Sequence, residues 1–161
     1  MSRRPDGTPA TRALTAADIR FTTHTYDHVA TAVNFGLEAA EKLAVDATRI
    51  FKTLLLDADG VLVVGVVPVG GRLNLKSLAA AVGARKATLA DPVVAERKTG
   101  YVVGGISPIG QRTRLVTIID ESALLHDTVL VSGGRRGFDI ELSPADLARV
   151  TAGTFAPVAR A

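Results

Sequence analysis

Apolar and polar positions divide the chain into short blocks. One largely apolar block is Ile50–Leu56, and a second, Val61–Val67, follows it after Asp57-Ala58-Asp59-Gly60. Each block suits a strand buried on both faces, and the Asp-Gly between them is a hairpin turn signal. On the first strand Ile50, Lys52, Leu54 and Leu56 share one face, and Phe51, Thr53 and Leu55 share the other. Only Lys52 and Thr53 break the apolar run. A buried ammonium without a partner is costly, so Lys52 must reach water or answer a negative charge.

The flanking segments carry start and stop signals. Thr8 before Pro9 predicts a capped helix to about Thr15–Ala17, and Ile19–Tyr26 predicts a strand. Leu37, Ala40, Leu43 and Ala44 lie at helical spacing within residues 34–44. After the break at Pro68-Val69-Gly70-Gly71, Asn74 caps a helix to about Val82, closed by Gly83. Ala87–Ala90 reads as extended, and Asp91-Pro92 opens a helix that stops at Gly100. Strands follow at Leu115–Ile119, Thr128–Ser132 and Phe138–Leu142, and Ser143-Pro144 opens a last helix. Helices and strands mix without βαβ alternation. The expectation is an α+β fold, a single domain with a mixed, barrel-like sheet flanked by helices. Residues 1–7, which contain Pro5 and Gly7, read as a mobile tail before a domain spanning 8–161.

Composition narrows the chemistry. The 161 residues are 47% hydrophobic and 22% charged, an ordinary globular balance, with no apolar run long enough to span a bilayer. No apolar stretch follows the N-terminus, so a cytoplasmic location without membrane contact is expected. Without cysteine there is no disulfide framework, thiolate metal site or cysteine nucleophile. The net charge is +3, of which Arg3, Arg4 and Arg12 against Asp6 supply +2. The remainder is near neutral, yet it holds basic pairs at Arg85-Lys86, Arg97-Lys98, Arg112/Arg114 and Arg135-Arg136. Such pairs are either solvated surface or phosphate contacts.

Two further segments could carry chemistry. In Gly104-Gly105-Ile106-Ser107-Pro108 adjacent glycines let backbone N–H groups approach a ligand, although a plain turn uses the same residues. Ser132-Gly133-Gly134-Arg135-Arg136-Gly137-Phe138-Asp139 is either an exposed basic hairpin or a substrate rim with Ser132 and Asp139 facing a polar ligand. His24, Tyr26 and His28 share a strand face, but no third metal ligand accompanies them, so hydrogen-bonded histidines and no metal are expected. Neither a catalytic serine triad nor a carboxylate pair at hydrolytic spacing is evident.

Taken in order, these segments resemble the YbaK/EbsC family, most closely its YbaK-type Cys-tRNA(Pro) deacylases. The likeness rests on Thr8-Pro9-Ala10, His24-Thr25-Tyr26, Asn34-Phe35-Gly36, Phe51-Lys52-Thr53-Leu54-Leu55 and Ala90-Asp91-Pro92. It continues through Thr99-Gly100-Tyr101, Val103–Pro108, Thr117–Asp120, Val131–Gly134, Gly137 and Asp139–Leu142. Phe51 stands where the family often has tyrosine. The family is homologous to the editing domain of bacterial prolyl-tRNA synthetases. The resemblance implies a free-standing editing factor that cleaves the ester of cysteine mischarged on tRNA(Pro), with prolyl-tRNA synthetase as its working partner and no cofactor. The alternatives are a deacylase for another mischarged tRNA, such as Ala-tRNA(Pro), and a non-catalytic tRNA- or synthetase-binding module.

Carried onto this chain, the resemblance assigns catalysis to Lys52 and Gly104, and substrate binding to Tyr26, Thr53, Gly105, Ser107, Ser132 and Asp139. It also implies a substrate-assisted reaction in which the cysteine thiol attacks its own ester carbonyl, leaving a cyclic thiolactone and free tRNA. Such chemistry asks the protein for positioning and charge stabilisation, not for a nucleophile.

Overall fold

The computed structural model describes residues 7–28 and 35–160. Apart from Gly7 the expected tail lies outside them, as does Asn34. Four helices begin on side-chain caps, each meeting a backbone N–H that the helix leaves unpaired. Thr8 accepts from Thr11 N to start α1 (Pro9–Ala16), and Asn74 accepts from Ser77 N to start α3 (Leu75–Ala81). Asp91 accepts from Val93 N and Val94 N at α4 (Pro92–Thr99), and Ser143 accepts from Asp146 N at α5 (Pro144–Thr151). Proline is the first helical residue of α1, α4 and α5. The helix expected over 34–44 is α2 (Phe35–Leu43).

The predicted hairpin forms as β2 (Phe51–Ala58) and β3 (Val61–Pro68), antiparallel from Phe51 opposite Pro68 to Ala58 opposite Val61. Asp59 and Gly60 both take left-handed φ, +52° and +87°, which suits a tight turn with the twist of the strands. The two faces of β2 divide as the alternation requires. Phe51 and Leu55 join Val64, Val66, Leu14, Ile119 and Phe138 in the larger core. Leu56 and Ala58 join Val63, Val67 and α3's Leu78 and Ala79 in a second one. A third cluster gathers Ala39 of α2, Ile50, Val69 and Leu130.

The hairpin lies inside a five-stranded sheet ordered β5-β2-β3-β6-β9, with β5 Ala87–Leu89, β6 Val116–Asp120 and β9 Thr154–Ala156. β6 runs parallel to both β3 and β9, so the sheet is mixed. A three-stranded antiparallel sheet places β8 (Phe138–Leu142) between β1 (Thr22–Thr25) and β7 (Val129–Arg135). A short pair joins β4 (Arg72–Leu73) to β10 (Ala159–Arg160). The α+β class is as expected, and the barrel-like sheet is open: a parallel bridge, Ile50 to Leu130, links the start of β2 to the three-stranded sheet. The strand expected over 19–26 keeps only Thr22–Thr25, because Ile19 closes α1 instead through its N–H to Leu14 O. β4, β9 and β10 are too short to show a period of two in the sequence.

Candidate functional site

β5 pairs with β2 only at Leu56–Ala58, and Ala90 N adds a bond to Leu55 O. Past that point the outer edge of β2 carries no strand among the described residues. A cleft of about 280 Å³ opens there, between the bare half of β2 and the β7–β8 hairpin. Ligand sites usually run from roughly 300 to 1,000 Å³, so this one suits a small group. Because the cleft wraps a strand edge, Lys52 and Thr53 both line it from opposite faces of β2.

The opposite wall is built by an irregularity. The β7–β8 register shifts between Ser132 and Arg135, which places Gly133 and Gly134 in a bulge. Ser132 and Asp139 remain directly paired and stand side by side on one face. Tyr26 follows the end of β1 and donates its N–H to Gly137 O, which sets its ring beside them. Val103, Gly104 and Ile106 close the mouth, and Ile50, Phe51, Ala39 and Val69 supply apolar walls. Gly104 takes φ +92°, a conformation costly for any residue with a Cβ. Its N–H has no backbone acceptor among the described residues.

The polar groups in the cleft are under-satisfied. Asp139 is 7% exposed, and no hydrogen-bond or ion-pair partner reaches its carboxylate among the described residues. Burial pushes its pKa up to about 7. Thr53 Oγ1 is the one fully buried side-chain oxygen without a hydrogen-bond partner among the described residues. Lys52 is half-buried, donates from Nζ to Gly71 O at 3.1 Å and has no carboxylate partner among the described residues. Burial lowers its pKa, and the like charge of Arg72 adds to this. The Tyr26 phenol is pushed up to about 12, by burial first and then by the charges of Asp139 and Glu38, so at neutral pH it is a donor. The Arg135 guanidinium stacks 4.4 Å from the Phe138 ring centroid at the rim. One wall offers a cation, the other a buried carboxylate, and the space between holds hydroxyl and backbone donors. No histidine is among the described residues that line this space.

Six of the eight expected site residues therefore line one cleft: Tyr26, Lys52, Thr53, Gly104, Ser132 and Asp139. Gly105 and Ser107 stand outside it. A Cβ on Gly105 would lie 2.7 Å from Arg135 Cα, so this glycine lets the 103–106 loop pack against the bulge. Ser107 is fully buried, its Oγ accepting from Ile109 N and its carbonyl from Gln111 Nε2. Both hold the loop in shape. Sequence reasoning does not single out Val103, Ile106 or Ala39 as lining residues, and it marks Arg135 only as one of two arginines in a possible substrate rim. His24 Nε2 and His28 Nδ1 each lie 2.8 Å from a carboxylate, Glu141 and Glu38. No group of three metal-ligating side chains occurs among the described residues.

The sequence pattern of the aminoacyl-tRNA editing domain matches residues 31–150. The chain is 39% identical over 120 residues to the Enterococcus faecalis protein named "Putative Cys-tRNA(Pro)/Cys-tRNA(Cys) deacylase EbsC", covering 74% of this chain and 73% of that one. It is 31% identical to Bacillus subtilis YwhH, over 68% of this chain and 70% of that one. Among solved structures, the hypothetical protein APE2540 superposes with a TM-score of 0.83 at 27% identity, over 95% of this chain and all of that one. A protein described as "a putative trans-editing enzyme for prolyl tRNA synthetase" also superposes at 0.83, at 22% identity, over 99% of this chain and 100% of that one, a likeness of fold. Among the described residues no helix is long and apolar enough to cross a membrane.

Proposed function

The chain belongs to the aminoacyl-tRNA editing domain family, and on that premise we propose that it is a deacylase that cleaves cysteine wrongly esterified to tRNA(Pro). The observation that carries this reading is the under-satisfied polar set of the cleft: Asp139 without a donor, Thr53 without a partner and Lys52 without a carboxylate among the described residues. A buried polar group left unmatched costs stability, so a ligand that supplies its partner is bound strongly. An aminoacyl ester offers an ammonium for Asp139, and a carbonyl oxygen and nearby phosphate for Lys52 and the Gly104 N–H.

In this reading the cysteine thiol is the nucleophile. Its sulfur forms a bond to the ester carbonyl carbon, and the thiol proton leaves to solvent. The carbon–oxygen ester bond then breaks, and the ribose oxygen takes up a proton. The products are a cyclic thiolactone and free tRNA. Lys52 and the Gly104 N–H hold the charge that develops on the carbonyl oxygen, and Asp139 orients the aminoacyl group through its ammonium. Prolyl-tRNA synthetase, which makes the mischarged product, is the partner this reading expects.

The test is a deacylation panel of Cys-, Ala- and Pro-tRNA(Pro), with and without the synthetase. Cys-tRNA(Pro) is expected to be cleaved fastest. Equal rates across the panel would remove the substrate assignment, a preference for Ala-tRNA(Pro) would reassign it, and no cleavage of any member would leave a binding module.

A further inference from the structure

The fold gathers three of the four basic pairs, or members of them, onto one strip beside the cleft. Arg97 and Lys98 occupy the last turn of α4, and Arg112 lies against its end. Arg112 Nη1 reaches Arg97 O at 3.4 Å, Thr113 N donates to Lys98 O, and Gly100 packs on the Arg112 side chain. The loop then continues to Val103 and Gly104 at the mouth. Arg136 Nη2 donates to Val103 O at 2.8 Å, and Arg135 forms part of the cleft rim.

Cations in the last turn of a helix are commonly placed to offset its dipole. Two features go beyond that role. Residues 97–119 hold four arginines and lysines and no aspartate or glutamate. Glu96, the carboxylate of α4, accepts from Val103 N at 2.8 Å and forms no ion pair with these cations among the described residues. Arg97, Lys98, Arg112 and Arg135 are all exposed, and the ion pairs among the described residues involve none of them. Neighbouring like charges without ion pairs raise the potential of the strip, and the Glu96 carboxylate beside Val103 offsets part of it. The cations are spread along a line that ends at the cleft, so they suit a repeating anion better than one phosphate.

We infer that Arg97, Lys98, Arg112 and Arg135 form a track for the phosphodiester backbone of an RNA acceptor end entering the cleft. This rests on the proposed tRNA substrate, but it concerns binding and not cleavage. Arg85-Lys86 is the internal contrast. It lies at the β2–β3 turn, where its backbone N–H groups hold the Asp59 carboxylate, so charge there is locally balanced.

The experiment measures binding of uncharged tRNA against salt for the wild type and three variants. The wild type should show log affinity falling linearly with log salt. Joint Arg97→Gln, Lys98→Gln and Arg112→Gln should weaken binding at least tenfold and reduce the slope by about one unit for each phosphate no longer neutralised. Joint Arg97→Lys and Arg112→Lys, which keep the charge, should retain the slope. Joint Arg85→Gln and Lys86→Gln should bind as the wild type does. An unchanged slope in the triple variant, a slope lost in the charge-keeping variant, or an equal loss in the Arg85/Lys86 variant would each overturn the track. Uncharged tRNA needs no chemistry, so the track can fail while deacylation stands, and the reverse.

Discussion

The two long hairpins are the same motif put to opposite uses. In β2–β3 the register is unbroken over eight pairs, and the carboxylates at the turn are satisfied by backbone. Asp57 Oδ1 accepts from Gly60 N at 2.8 Å, and Asp59 accepts from Arg85 N and Lys86 N at 2.8 and 3.1 Å. In β7–β8 the register breaks after Ser132, and the buried carboxylate beside the break, Asp139, has no donor among the described residues. A carboxylate whose oxygens are matched by N–H groups closes a structure. One that is buried and unmatched costs the fold stability, a cost that persists where a ligand requires it.

That comparison can be broken by substitution. Asp139 carries the largest expected effect. Its folded pKa, about 7, lies above the usual carboxylate value near 3.8, so the native state binds the extra proton between the two. The contribution of Asp139 to stability is therefore greatest at acid pH and falls as pH rises, until the folded-state carboxyl has itself ionised above about 7. Asp139→Asn removes the buried charge, and the shift converts to a gain on the order of 4 kcal/mol at pH 8 and a smaller one at pH 5. Urea unfolding at the two pH values measures this. A variant less stable than the wild type at pH 8 would mean that the carboxylate has a donor after all. The same variant should lose deacylation, so stability and activity move in opposite directions.

The turn carboxylate predicts a smaller effect of the other sign. Asp59→Asn keeps a residue type that tolerates left-handed φ, but it weakens two hydrogen bonds, for a loss of about 1 kcal/mol. Deacylation should be unchanged. A gain in stability there would erase the contrast between the hairpins.

The same contrast explains what the sequence revealed. Local chemistry was legible: Thr8, Asn74, Asp91 and Ser143 all cap the helices they were expected to cap, and Asp59-Gly60 turns the hairpin. The alternation in β2 assigned Phe51 and Leu55 to one core and Leu56 to another. Features set by distant partners were not legible. The parallel pairings of β6 depend on segments far apart in the chain, and β9 is three residues long. The glycine-rich motif drew attention to 104–108, but spacing could not separate Gly104, which faces the cleft, from Gly105 and Ser107, which brace it. Nor could spacing show that Arg97, Arg112 and Arg135, far apart in sequence, lie along one strip.

The central claim is that the cleft beside Lys52 breaks an aminoacyl ester, and single-turnover deacylation of Cys-tRNA(Pro) by the wild type and Lys52→Ala tests it most directly. Lys52 is half-buried and bonded to a single carbonyl, so its loss should leave the fold intact while removing a preorganised charge. Removing one such stabilising group typically lowers the rate by about 100- to 1,000-fold. A fall of that size, with the variant melting as the wild type does, is the predicted result. Equal rates for the two proteins would contradict the account.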